Sequence, residues 1–145
     1  MEIRFSVKQS YAVMAMLTLL RHSGKTPLTV ATIAKRHHMS TLFLGQVMGA
    51  LKQAGFVRSI RGKAGGYTLA KPPQQPIRLF EILQAISGTP VVSRPVNTTA
   101  EAQLLSEIEA ETNATLTQHL HAVILQGLVG RLARMEVGRA PMFHI

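Results

Sequence analysis

Residues 39–70 read MSTLFLGQVMGALKQAGFVRSIRGKAGGYTLA, and this stretch decides the fold. Ser40 is a good helix N-cap. Leu44, Val47, Met48 and Leu51 follow at i, i+3, i+4 and i+7, the period of one buried helix face. Gly55 is the expected helix stop. Phe56–Ile60 and Tyr67–Ala70 read as short strands, and Arg61-Gly-Lys-Ala-Gly-Gly66 between them as a basic, flexible hairpin loop. With the inner face fixed, about 100° per residue turns Thr41, Leu42 and Gln46 outward near the helix start, with Phe43 at the edge.

Towards the N-terminus, a turn at His38-Met39 separates this helix from a shorter one. That helix runs from Val30 to about His37, with Thr29 as its cap and Ile33 and Ala34 inward. Before it, Ser6–His22 reads as a helix with Ser6 as N-cap. Val7, Tyr11, Met14 and Thr18 share one face, and Val13, Leu17 and Leu20 cover another. A helix apolar nearly all round is buried on more than one side. Helix, helix, tight turn, helix, hairpin is the order of a winged helix-turn-helix, whose second helix of the pair enters the DNA major groove.

Towards the C-terminus, Lys71-Pro-Pro-Gln-Gln-Pro76 is a linker. Leu79, Ile82, Leu83 and Ile86 form one face of a fourth helix that stops at Gly88. Thr98 followed by Glu101 reads as a capping box opening a fifth helix of about 25 residues. Such a helix spans nearly 40 Å at about 1.5 Å per residue, too long for a small monomer to cover. A twofold dimer burying Leu105, Ile108, Leu116, Leu120 and Val123 is the natural solution. An intramolecular hairpin with the helical segment Ile124–Ala133 is the alternative, and Gly138–Ile145 is expected to fray. The expected class is mainly α (α+β): a winged helix-turn-helix with a two-stranded wing and a long C-terminal dimerisation helix. The divisions are a DNA-binding domain at 1–71, a linker, fourth helix and loop at 72–98, and the dimerisation helix and tail at 99–145.

Charge supports that division. The 145 residues carry sixteen Lys and Arg against seven acids, a formal net charge of +9. All the acids are Glu, and none lies between Glu2 and Glu81. Residues 1–71 hold eleven Lys and Arg against one Glu, a balance of +10, whereas residues 72–145 hold five against six, a balance of −1. One basic half joined to a neutral half suits double-stranded DNA as partner. Without Cys or Asp there is no thiolate nucleophile, disulfide, Cys-held cluster, Ser-His-Asp triad or Asp-rich metal site. No catalytic residue, metal or cofactor is assigned, and no enzymatic activity is expected. No apolar run approaches the roughly 20 residues of a membrane span, and no signal peptide pattern is visible, so the cytoplasm is the expected location.

The candidate DNA contacts follow from side-chain chemistry. Gln46 can bond adenine through its amide, and the methyl groups of Thr41 and Leu42 can touch a thymine methyl. The helix N-terminus at Ser40 can hold a phosphate through its free amides. Arg58, Arg61 and Lys63 cluster on a turn built from Gly62, Gly65 and Gly66, and an arginine at such a tip can enter a narrow minor groove. Gly45 and Gly49, one turn apart, each cost a helix about 1 kcal/mol relative to Ala; either close approach by DNA or a helix, or tolerated drift, accounts for them.

These residues carry a resemblance. Tyr11-Ala12, Met14-Ala15-Met16-Leu17, Ile33-Ala34, Met39-Ser40, Leu44, Gln46, Leu51-Lys52, Ala54-Gly55 and Arg61-Gly62-Lys63-Ala64-Gly65-Gly66-Tyr67 match the winged-helix repressor family of the iron–sulfur cluster regulator (IscR) and the nitric-oxide-sensitive repressor (NsrR). Leu79–Gly88 resembles the family helix after the wing, and the fifth helix occupies the place of the family's dimerisation helix. The resemblance implies a homodimer on a palindromic operator, with Gln46 and Arg61 at positions that contact DNA in relatives. Cluster-binding relatives carry three Cys in the loop after the fourth helix; the corresponding Thr89–Leu105 has none, so the chain reads as a Cys-free member. Gly45 stands where many relatives have Glu, and Leu42 where Ser is common. His38 replaces a turn Gly, and Lys63-Ala64 a Pro-Gly, which alters the operator read more than the binding of DNA.

The six His residues do not space as a metal site: His37-His38 are adjacent and His119 and His121 two apart. Met14, Met16 and Met48 fall on core positions. Two other readings stay open. One is a winged-helix interaction module that has lost DNA binding, with Leu42 and Phe43 as its contact patch. The other is a regulator sensing a small-molecule effector in a cavity between the first and fifth helices.

Overall fold

A computed structural model describes residues 1–22, 26–87, 96 and 98–139. Its elements follow in the order α1 (Val7–Arg21), α2 (Val30–His37), α3 (Thr41–Gln53), β1 (Val57–Ile60), β2 (Gly66–Leu69), α4 (Leu79–Ser87), α5 (Ala100–Ala122) and α6 (Leu125–Arg139). This is the mainly helical winged helix expected from the sequence.

Local side chains start each of the first three helices. Ser6 Oγ accepts from Gln9 N at 3.1 Å while Gln9 Oε1 accepts from Ser6 N at 2.8 Å, a reciprocal box. Thr29 and Ser40 accept from Thr32 N and Phe43 N at 3.1 and 3.2 Å. Each cap satisfies an otherwise free amide and contributes about 1 kcal/mol. The tight turn between α2 and α3 rests on His38, which takes the left-handed conformation at φ 54° and ψ 44°. It is the one non-glycine residue with positive φ among those described.

α1 runs through the core, but the side it buries differs from the large-residue faces expected. Ala12, Ala15, Met16, Leu19 and Leu20 are buried, against Leu44, Val47, Met48 and Leu51 of α3 and Ile82 and Leu83 of α4. Val7 is 62% exposed, and Tyr11, Val13, Met14 and Leu17 pack only in part against that core. Ala12 and Ala15 let neighbouring helices approach closely, and Met16, Leu19 and Leu20 complete that side.

The wing is antiparallel, with Val57 opposite Leu69 and Ile60 opposite Gly66. Leu28 bridges the free edge of β2, exchanging backbone bonds with Tyr67 at 3.0 and 2.7 Å. That bridge explains one wing glycine. Gly66 has φ 143°, and a Cβ there would meet Leu28 O at 2.5 Å.

The C-terminal half departs from expectation at both ends of its long helix. Thr99, not Thr98, caps α5, accepting from Ala102 N at 3.3 Å. The third helical residue is then Ala102, which cannot return a bond, so no capping box with Glu101 forms. α5 spans 23 residues and buries none of them. Val123 lies beyond it in an extended cap, and Leu120 and Val123 pack in part on the chain's own core. α6 continues to Arg139, past the expected end at Ala133, and includes Gly138; residues 140–145 lie outside those described. Rather than forming a hairpin with α5, α6 returns to α1, where Arg21 forks onto Glu136 at 2.7 and 2.6 Å. Leu125, fully buried, joins this helix to the single core.

Gln126 ties the linker to that junction. Its side-chain amide donates to Pro73 O at 3.0 Å and Gln75 O at 2.7 Å, and its oxygen accepts from Ile77 N at 3.1 Å. Leu125 N donates to Ile77 O at 2.8 Å and Leu79 N to Val123 O at 2.9 Å. The chain leaving the wing is thus fastened to the α5–α6 corner before α4 begins.

Candidate nucleic-acid interface

α3 turns its apolar face wholly inward, which fixes what it presents outside. Leu44, Val47, Met48 and Leu51 are buried; Ser40, Thr41 and Gln46 are exposed, and Leu42 is 80% exposed. A leucine so exposed, beside first-turn amides of which Ser40 caps that of Phe43, leaves this end of the helix open to a partner. No acid lies in the first turn of α3.

Phe43 faces differently from its neighbours. Its ring meets Tyr11 edge-on at 5.2 Å between centroids, and Lys8 Nζ lies 5.7 Å from its centre. Phe43 therefore anchors the recognition helix to α1. It also brings Lys8, which the sequence reading passed over, to the edge of the same surface. Lys8 and Gln46 line one shallow depression with Ile86. A lysine in the first turn of a remote helix carries no local sequence signal of this role.

The wing separates its cations. Arg61 and Lys63 are exposed at the tip, around Gly62 at φ 106°, where Gly65 N donates to Gly62 O at 3.0 Å. Arg58 sits at the base instead, opposite Thr68 in the sheet, and lines a cavity beside Leu19 and Lys71. Gly65 and Gly66 are framework residues: a side chain at either would collide with backbone of Ile60 or Leu28. Gly45 and Gly49 have nothing of this chain within 4 Å of the place a Cβ would take. Among the described residues no three His or Glu side chains converge as metal ligands, and no helix is long and apolar enough to cross a membrane.

A helix-turn-helix with an exposed recognition end and a basic wing defines a DNA-binding transcriptional regulator. Residues 5–131 match the family model Rrf2, described as an iron-dependent transcriptional regulator, and the chain belongs to that family. It is 37% identical over 89 residues to the HTH-type transcriptional regulator IscR of Cereibacter sphaeroides, a match covering 60% of this chain and 57% of that relative. Its fold is similar to T. potens IscR, with a TM-score of 0.73 and 26% identity over 99% of this chain and 94% of that one. It is also similar to CymR, the global cysteine regulator of B. subtilis, with a TM-score of 0.74 and 25% identity over 90% and 98% of the two chains. The family description names iron, yet this chain has no Cys, so a thiolate-held cluster does not fit its donor set.

Proposed function

We propose that the protein is a cytoplasmic, homodimeric repressor that reads a palindromic operator without an iron–sulfur cluster and without catalytic activity. The observation that carries the reading is the exposed start of α3, Ser40 to Gln46, beside a wing tip bearing Arg61 and Lys63. In this reading Thr41, Leu42 and Gln46 meet base edges, the amides after Ser40 hold a phosphate, and Arg61 enters the adjacent minor groove. Lys8, Lys63 and the backbone around Gly62 add phosphate contacts. The relatives named IscR and CymR support a regulator of transcription, and the direction of control is taken as repression.

Selection of bound fragments from genomic DNA at rising salt tests this. A single recurring palindrome is expected. Gln46→Ala should relax base preference at one position by about 1–3 kcal/mol. Arg61→Ala should weaken binding to every sequence and lower the salt slope by about 0.9 if it neutralises one phosphate. Retention of all fragments alike at every salt concentration would sink the specific-repressor reading. A winged helix serving as an interaction module would retain none.

A further inference from the structure

The cavity at the base of the wing is not explained by DNA reading. It measures about 380 Å³, the size of a small metabolite site. Leu19 and Tyr67 form part of its lining, with Pro72 and Pro73 of the linker. Arg58 and Lys71 bring two cations to it, and no lining residue is acidic. Neither cation is ion-paired among the described residues, where the ion pairs are Arg4–Glu2 and Arg21–Glu136. Thr68, paired with Arg58 across the sheet, keeps a buried Oγ1 with no hydrogen-bond partner among those residues. A buried hydroxyl left without a partner costs about 1–3 kcal/mol, and a turn of the Thr68 side chain towards a ligand oxygen would remove that cost.

We propose that this cavity binds a small organic anion, with a carboxylate or phosphate head held by Arg58, Lys71 and Thr68 and a compact apolar body against Leu19 and the prolines. An arginine fork suits either oxyanion. Duplex DNA is the other source of such a group. The cavity disfavours it, because Arg58, though exposed, stands at the base of the hairpin beside the buried Leu19 and the linker prolines, while the tip carries its own cations. The location gives the ligand a lever. Arg58 belongs to β1 and Lys71 to the linker. Ala70 N already bonds Phe56 O at 3.0 Å, and Gln126 holds Pro73 and Gln75 to the α5–α6 corner. An anion joining Arg58 to Lys71 would set the wing against that corner, and so alter its fit to DNA.

The test uses the full chain free of DNA, so it succeeds or fails apart from the operator reading. Benzoate, phenyl phosphate and neutral benzamide are titrated while backbone amide resonances are followed. Saturable shifts from at least one anion are expected at Arg58, Thr68 and Lys71, with benzamide at least about tenfold weaker. Arg58→Gln should weaken anion binding by about 10–100-fold, as a charge-assisted bond is lost. Thr68→Val, which keeps the shape of the side chain, should weaken it several-fold while the melting temperature holds or rises. If Thr68→Val fails to fold, Lys71→Gln takes its place with the same expected loss. The proposal is overturned if neither anion saturates, if benzamide binds equally, or if shifts centre on Arg61 and Lys63. Equally damaging would be variants that bind the anions unchanged, or that lose only operator affinity, which would give these cations to DNA phosphate.

Discussion

At the scale of single residues, His37 shows how one hydrogen bond fixes a tautomer while burial sets the charge. Its Nε2 lies 2.7 Å from Thr18 Oγ1, and that hydroxyl donates to Met14 O at 2.8 Å. With the hydroxyl proton committed, Thr18 can only accept, so His37 carries its proton on Nε2. Burial, reinforced by Arg36 and His38, lowers the pKa of His37 below the ordinary 6.5. The folded state therefore holds a proton here less readily than the unfolded chain. The stability this gives is present above about pH 6.5 and is lost as pH falls from there through the lowered value. Urea denaturation between pH 7.5 and 5 should show this decline, and His37→Gln, which can still donate to Thr18, should flatten it. An unchanged slope in the variant would assign the decline to another group. Gln126 makes a second prediction at this scale. Alanine there removes two bonds to the linker and one to Ile77, and should cost about 1–3 kcal/mol in the same assay, the group being partly solvated.

At the scale of elements, legibility followed the pattern of burial. α3 was readable because only one of its sides is apolar and packed, so the outward residues followed by rotation. α1 was not, because it is apolar nearly all round and Ala12 and Ala15, which no hydrophobic ranking puts first, are buried as fully as Met16. Thr98, spaced three residues before Glu101, reads as the start of α5, but its neighbour Thr99 is the cap. Arg58 and Arg61 looked equivalent in sequence; only the strand register and the path of the linker parted them. Gln126 acts on residues about fifty positions away, a relation with no periodicity to betray it. The two glycines of α3 offer an element-scale test. Since nothing in the chain occupies their Cβ positions, Gly49→Ala and Gly45→Ala should each raise stability by about 1 kcal/mol through helix propensity alone. A shift in the denaturation midpoint with unchanged slope would show it. No gain at both sites would mean that these half-buried glycines relieve a strain propensity does not describe.

At the scale of the whole molecule, α5 poses the largest problem. Its 23 residues extend about 35 Å with no residue buried, and Leu105 and Ile108 are 58% and 52% exposed. Neither α1 nor α6 covers that face, since α6 turns back onto α1 and the contact of α5 with the rest of the chain is chiefly with α4. Leu120, at the far end, already packs in part on the core, so the unmet apolar surface concentrates around Leu104, Leu105 and Ile108. Pairing with the same face of a second copy would cover it under a twofold axis and place two recognition helices for half-sites one helical turn apart, about 34–36 Å. Leu105→Glu combined with Ile108→Glu puts like charges across that axis without touching the buried core. The double variant should keep the helical content and melting behaviour of a folded chain while its mass by light scattering falls from that of a dimer to that of a monomer. Its operator affinity should fall by about 10²-fold or more, because the second half-site is no longer bound as part of one particle. A half-site oligonucleotide should still be bound, at an affinity close to that of the parent chain for the same duplex. If the double variant remains a dimer of unchanged affinity, α5 is not the interface, and the exposed leucines must serve some other partner.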